Sequence, residues 1–274
     1  MKKACNYATF LAIVTLLISC ATPCSHDNLN STLWMQTAAE YRAVTIATYQ
    51  TAAARLDEAL MDKKWTAALE QTGAYGHLPP AVILDIDETV LDNSPFQGQL
   101  IIENLTYSPD AWDQWISMAK AVPVPGAPSF IEEAKKRGIR VIYITNRKCR
   151  RRAGDPSPCP QETDTIHNLM TVGFPEIDPQ EEMLLQGEQS GWTGEKSSRR
   201  RQVGQKFRIL MLIGDDLGDF ISNVKQGTPE ERAERAAPFD AYWGSKWFIL
   251  PNPTYGSWYR ILAPPKVRHL EGYR

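Results

Sequence analysis

Ala81-Val82-Ile83-Leu84-Asp85-Ile86-Asp87-Glu88-Thr89 is the stretch on which the fold turns. Its first four residues form an unbroken apolar run, entered through the breakers Gly73, Gly76 and Pro79-Pro80 and ending in acids. Unbroken runs of this length, without polar alternation, mark strands covered on both faces, as in parallel sheets. Two further runs share the pattern. Val141-Ile142-Tyr143-Ile144 follows a predicted helix at about 127–137, and Ile209-Leu210-Met211-Leu212-Ile213 follows a basic helix at about 196–206. Helix alternating with strand predicts βαβ units: an α/β fold with a parallel sheet, helices on both faces, and ligands gathered at the carboxyl ends of the strands. Upstream, Ser31 is placed to cap an Ala-rich segment reaching about Leu69, read as one or two amphipathic helices. Residues 89–125 interrupt the alternation and are read as a helical cap.

The chain has 274 residues, a net charge of −2 and 43% hydrophobic residues, an ordinary globular composition that excludes a disordered chain or a disulfide miniprotein. Without a clustered excess of Lys and Arg, a nucleic-acid polymer is not an expected partner. Arg150-Arg151-Arg152 and Arg199-Arg200-Arg201 are read as solvated surface. The 8 Trp and 10 Tyr leave a homodimer open. At the N-terminus, Lys2-Lys3 precedes an apolar stretch from Ala8 to Ile18, too short to span a bilayer and typical of an export signal over residues 1–19. Leu17-Ile18-Ser19-Cys20 resembles a bacterial lipobox, which implies lipid attachment at Cys20, a tether over 20–30 and a place in the bacterial cell envelope, at the outer membrane. An ordinary cleaved signal is the alternative. One domain is expected over 31–274, with cap elements at about 31–75 and 89–125. In an oxidising compartment, Cys149 and Cys159, which bracket a turn-rich loop, are read as a disulfide, with free thiols as the alternative.

Each predicted strand ends in groups that handle charge. Period-two geometry puts Asp85 and Asp87 on one side of an extended strand end, so that one carboxylate can attack while the other exchanges a proton. Thr145-Asn146-Arg147 offers a hydroxyl and an amide to an anionic oxygen. Gly214-Asp215-Asp216-Leu217-Gly218-Asp219 is an acidic turn suited to a hard dication, and Lys196 opens the helix before that strand. Carboxylates, a divalent cation, a Lys and a Thr make a set for phosphoryl transfer, where charge on the transferring group must be offset.

Asp85-Ile86-Asp87-Glu88-Thr89-Val90-Leu91-Asp92-Asn93-Ser94 resembles the first motif of the haloacid dehalogenase superfamily in its phosphatase form. Ile144-Thr145-Asn146-Arg147, Lys196 and Gly214-Asp215-Asp216-Leu217-Gly218-Asp219-Phe220 resemble the second, third and fourth. With the lipobox and Leu250-Pro251-Asn252-Pro253-Thr254-Tyr255-Gly256, the set is most similar to the class C acid phosphatases, bacterial outer-membrane lipoproteins. The resemblance covers about residues 30 to 262 and departs at Asp216, where the family usually has Asn. It implies a Rossmann-like core with a cap, and a metal-dependent phosphomonoesterase acting on small phosphate esters, nucleoside monophosphates among them. Asp85 is then the nucleophile, Asp87 the general acid and base, and Thr145 and Lys196 the holders of phosphoryl oxygens. Mg²⁺ is held by the Asp85 carboxylate, the Asp87 main-chain carbonyl and Asp215, with Asp219 in reach. Trp112 and Tyr255 take the positions of an aromatic pair that stacks on the substrate's ring. Trp112 and Trp115, three apart, equally fit a pair that packs the cap on the core. A non-catalytic ligand-binding lipoprotein and a phosphotransferase are the competing functions on the same scaffold.

Overall fold

The computed structural model describes residues 26–273. The signal, the lipobox and Cys5, Cys20 and Cys24 lie outside the described residues. Three helices open the described chain, α1 (Leu29–Thr37), α2 (Ala39–Ala54) and α3 (Leu56–Met61). The strand β1 (Pro80–Leu84) and the short β2 (Leu91–Asp92) follow, then α4 (Ser94–Ile102), α5 (Pro109–Met118), β3 (Val122–Pro123), α6 (Ala127–Lys136) and β4 (Arg140–Lys148). Next come α7 (Pro160–Thr171), α8 (Pro179–Glu182), β5 (Met183–Gln186), α9 (Ser197–Lys206) and β6 (Arg208–Gly214). The chain finishes with α10 (Pro229–Ala236), β7 (Trp247–Ile249) and α11 (Ser257–Arg260).

Five strands form one sheet in the order β5-β4-β1-β6-β7, every pair parallel. The sequence runs over 81–84, 141–144 and 209–213 are its three central strands, which explains their unbroken hydrophobicity. Val82 and Leu84 of β1 join one buried cluster with Tyr49, Phe130 and Ile131; Ala81 and Ile83 join another with Val203, Phe207 and Trp247. Successive side chains point to opposite faces of a strand, so one short run feeds both cores. Each fully buried Val or Ile contributes roughly 1.5–3 kcal/mol relative to exposure.

Several local expectations are corrected. The first helix begins at Leu29, inside the predicted tether, with Asn28 rather than Ser31 at its cap position. Helix ends at Met61, not near Leu69. The segment beyond it packs instead as loop, Trp65 Nε1 donating to the Leu210 carbonyl at 2.7 Å and Gln71 Nε2 to the Phe207 carbonyl at 2.6 Å. Residues 89–125 hold α4 and α5, but also a two-stranded antiparallel ribbon of β2 and β3 that roots the insertion beside β1. The N-terminal helices serve both parts, α1 packing on α4 and α2 on α6. No helix among the described residues is long and apolar enough to cross a membrane.

Candidate active site

Parallel strands deliver their carboxyl ends to one rim, and the predicted residues meet there around a cavity of about 1230 Å³. Asp85, Asp87, Asn146, Lys196, Asp215, Asp219, Trp112 and Tyr255 all line it. Carboxylate oxygens of Asp85, Asp215 and Asp219 lie within 4.8 Å of one another. That approach depends on a glycine, since a Cβ on Gly214 would run into the Asp219 side chain. Lys196, only 3% exposed, reaches Asp85 at 2.5 Å and Asp219 at 2.7 Å. Asp215 accepts from Asn252 Nδ2 at 2.8 Å.

One ammonium among three carboxylates leaves an excess of negative charge in a desolvated place. Burial raises the Asp85 carboxyl to about 6; Lys196 pulls it down, while Asp219 and Asp87 push it up. Asp215 is pushed well above the usual range by burial, with repulsion from Asp219, Asp85 and Glu88 added. Hard carboxylate oxygens carrying uncompensated charge are the donor set a divalent cation takes, so the three aspartates fit a metal.

Asp87 is turned differently. Its carboxylate is outside the three-carboxylate group and is gripped by Arg147 Nη2 at 2.8 Å and Asn93 Nδ2 at 3.0 Å. Asn93 in turn accepts from Trp115 Nε1 at 2.8 Å, so Trp115 braces the cap entrance. Trp112 lies edge-on to Phe96, ring centroids 5.1 Å apart, with the Arg147 guanidinium 5.8 Å from its ring. Tyr255 bonds through its hydroxyl to the buried Glu88 carboxyl.

At the end of β4 the period-two alternation shows Asn146 to the cavity and buries Thr145, which is not among the lining residues. The Thr145 hydroxyl accepts from the Arg147 amide at 3.0 Å. Asn146 is held from both ends, accepting from Arg199 Nη2 at 2.7 Å and donating to the Gly194 carbonyl at 3.1 Å. Arg199 and Arg200, read as solvated, are fully buried. Arg199 also donates to the Thr145 carbonyl at 2.5 Å, while Arg200 pairs with Glu70 at 2.5 Å and donates to the Asp219 carbonyl at 2.7 Å. In the other run, Arg150 and Arg152 pair with Asp110 at 2.9 Å and Asp113 at 2.9 Å, tying the loop to α5.

Asp216, where the resemblance breaks, lines the cavity but stands outside the three-carboxylate group. It accepts from Gly218 N at 2.8 Å, Ser257 N at 2.5 Å and Ser257 Oγ at 2.7 Å. Burial works against the charged carboxylate, but those bonds hold it below the usual range. Cys149 and Cys159 are joined as a disulfide with Cα atoms 4.8 Å apart, linking the end of β4 to the start of α7. Arg147, Asn93, Glu88, Asn252 and Arg199 went unassigned on sequence, although all but Arg199 stood inside quoted motifs.

Residues 18–258 match the family model for the acid phosphatases of haloacid dehalogenase superfamily subfamily IIIB. The class C acid phosphatase from Bacillus anthracis has a similar structure, with TM-score 0.73 and 33% identity over 90% of this chain and 98% of that one. The same enzyme with tungstate bound matches with TM-score 0.73 at 32% identity, again over 90% and 98% of the two chains. Acid phosphatase 1 of Solanum lycopersicum is 25% identical over 177 residues, 63% of this chain and 57% of that protein, so the match spans a little over half of that relative's length. Because the matched region contains every strand end that builds the cavity, the chain belongs to the haloacid dehalogenase superfamily, subfamily IIIB, a family of acid phosphatases related in fold to the class C enzymes.

Proposed function

We propose that the protein is an exported, lipid-anchored phosphomonoesterase that hydrolyses small phosphate esters through an aspartyl-phosphate at Asp85. The observation that carries this reading is the carboxylate pair just past the end of β1, Asp85 facing Lys196 and two further carboxylates while Asp87 is held apart by Arg147 and Asn93. A ligand-binding protein has no use for a nucleophile and a proton carrier held in separate polar surroundings two residues apart.

In the first half-reaction an Asp85 oxygen bonds to phosphorus as the ester P–O bond breaks, and the Asp87 carboxyl passes its proton to the leaving oxygen, releasing an alcohol. In the second, the Asp87 carboxylate takes a proton from water while the water oxygen bonds to phosphorus and the Asp85 O–P bond breaks. Lys196 and Asn146 face the phosphoryl oxygens, and Thr145 supports that wall through its bond to the Arg147 amide. Asp85, Asp215 and the Asp87 main-chain carbonyl would hold Mg²⁺, with Asp219 beside them. The cation supplies Lewis-acid charge that offsets repulsion between an anionic nucleophile and an anionic substrate. Tungstate bound to the Bacillus anthracis enzyme, a tetrahedral oxyanion resembling phosphate, supports the same use of the cavity here.

Trp112 and Tyr255 wall the outer cavity, which favours phosphate esters carrying a flat ring, such as nucleoside monophosphates and aryl phosphates. The proposed anchor rests on the resemblance of Leu17-Ile18-Ser19-Cys20 to a lipobox, and the proposed outer-membrane location in a bacterial envelope rests on the same resemblance. The test is phosphate release from a nucleoside monophosphate by the form lacking residues 1–19, with and without EDTA, beside Asp85→Asn. Release that needs a divalent cation and disappears in the variant is expected; turnover retained by a folded Asp85→Asn protein refutes the mechanism.

A further inference from the structure

The two oxygens of Asp87 are held very unequally. Three nitrogen donors converge on Oδ1: Arg147 Nε at 3.0 Å, Arg147 Nη2 at 2.8 Å and Asn93 Nδ2 at 3.0 Å. Oδ2 receives one long contact, 3.4 Å from Arg147 Nε. The donors are themselves fixed. Arg147 is 1% exposed and passes Nη1 to Thr165 Oγ1 at 3.0 Å, which donates to the Gln161 carbonyl at 2.6 Å. Asn93 is fully buried and pinned by Trp115.

A carboxylate oxygen has about two lone-pair directions, and three donors saturate Oδ1. A proton on Asp87 then has one place to reside. We infer that Arg147, acting with Asn93, is a positioning residue that keeps the Asp87 proton on Oδ2 and aims that oxygen at the leaving group. The inference rests on Asp87 being the general acid, as proposed above. As the ester P–O bond breaks and the Asp85 O–P bond forms, the proton moves from Asp87 Oδ2 to the departing oxygen. Without the clamp the carboxyl can rotate and present either oxygen.

This device matters in proportion to how badly the leaving group needs a proton. An alkoxide does; p-nitrophenolate, already stable as an anion, does not. The experiment compares kcat/KM, which reports only the steps up to release of the alcohol and so excludes the shared hydrolysis step, on glycerol phosphate and on p-nitrophenyl phosphate for the wild type, Asp87→Asn, Arg147→Lys and the double variant. Arg147→Lys is expected to lower the alkyl-to-aryl kcat/KM ratio by about tenfold, within the range typical of general acid catalysis, and to leave the ratio of Asp87→Asn unchanged when added to it. Equal losses on both esters in Arg147→Lys, with Asp87→Asn itself selective, would overturn the positioning role alone. An unselective Asp87→Asn would instead remove the general-acid reading and this inference with it. Should circular dichroism show Arg147→Lys unfolded, Thr165→Val, which loosens the guanidinium without removing it, carries the test: a lowered ratio supports the clamp, and an unchanged ratio overturns it.

Discussion

Asp85→Asn should destroy catalysis and yet stabilise the metal-free protein. Burial, with repulsion from Asp219 and Asp87, raises the Asp85 carboxyl from 3.8 to about 6 in spite of Lys196. A raised value means the folded state holds the proton more tightly than the unfolded chain. The associated stability is therefore fully present below 3.8 and is lost as pH rises through about 6. Each unit corresponds to about 1.4 kcal/mol, so the ionised carboxylate costs the metal-free fold about 3 kcal/mol at neutral pH. Asparagine copies the neutral carboxyl in shape and cannot ionise, while Lys196 retains Asp219 at 2.7 Å. Urea unfolding of both proteins in EDTA should give equal stabilities near pH 3.8. At pH 7 the advantage to the variant should be about 3 kcal/mol, roughly 6–12 °C in melting temperature for a chain of this size. Excess Mg²⁺ should reverse the order, because it binds the wild type more tightly and stabilises it by mass action. A variant less stable than the wild type in EDTA at pH 7, or a difference that does not change with pH, would refute the reasoning.

Three further outcomes follow from other parts of the structure. Trp112→Ala and Tyr255→Ala should each raise KM for nucleoside monophosphates by about fivefold, the equivalent of about 1 kcal/mol of ring contact, with little change for glycerol phosphate; equal changes for both esters would show that these rings only pack. Glu70→Ala strips the partner from Arg200, which is 1% exposed, and should cost about 3–5 kcal/mol in urea unfolding; a loss under 1 kcal/mol would mean that the carbonyl of Asp219 alone satisfies that guanidinium. Replacing Cys149 and Cys159 together by Ser opens a loop closed over a sequence separation of 10, worth about 3 kcal/mol of unfolded-chain entropy, and unchanged thermal stability would contradict it.

The central strands and the acids at their ends were legible because burial on both faces demands uninterrupted apolar runs, and catalysis places polar groups where those runs stop. The edge strands were not. Met183–Gln186 and Trp247–Ile249 hold four and three residues, too short for a period to appear, and pairing with a neighbour rather than their own composition makes them strands. The helix expected to reach about Leu69 failed for a similar reason: Trp65 and Gln71 gain partners on the sheet side only if the chain unwinds after Met61.

Arginine was the residue least readable from the sequence, and the cause is physical. A run such as Arg199-Arg200-Arg201 looks solvated because an isolated guanidinium is costly to bury. Five donors in a rigid fork remove that cost wherever main-chain carbonyls and carboxylates end together, and the carboxyl edge of a parallel sheet is such a place. Arg199 gathers the carbonyls of Thr145 and Thr193 and the amide oxygen of Asn146; Arg200 gathers Glu70 and the carbonyl of Asp219. Arg147 does the same for Asp87 and Thr165. None of these partners is close in sequence to its arginine except Thr193, in the loop before α9, so no local pattern could reveal the pairing. The acidic groups announce the reaction, while the buried arginines that hold strand ends and loop together become visible only when the fold brings those termini to one rim.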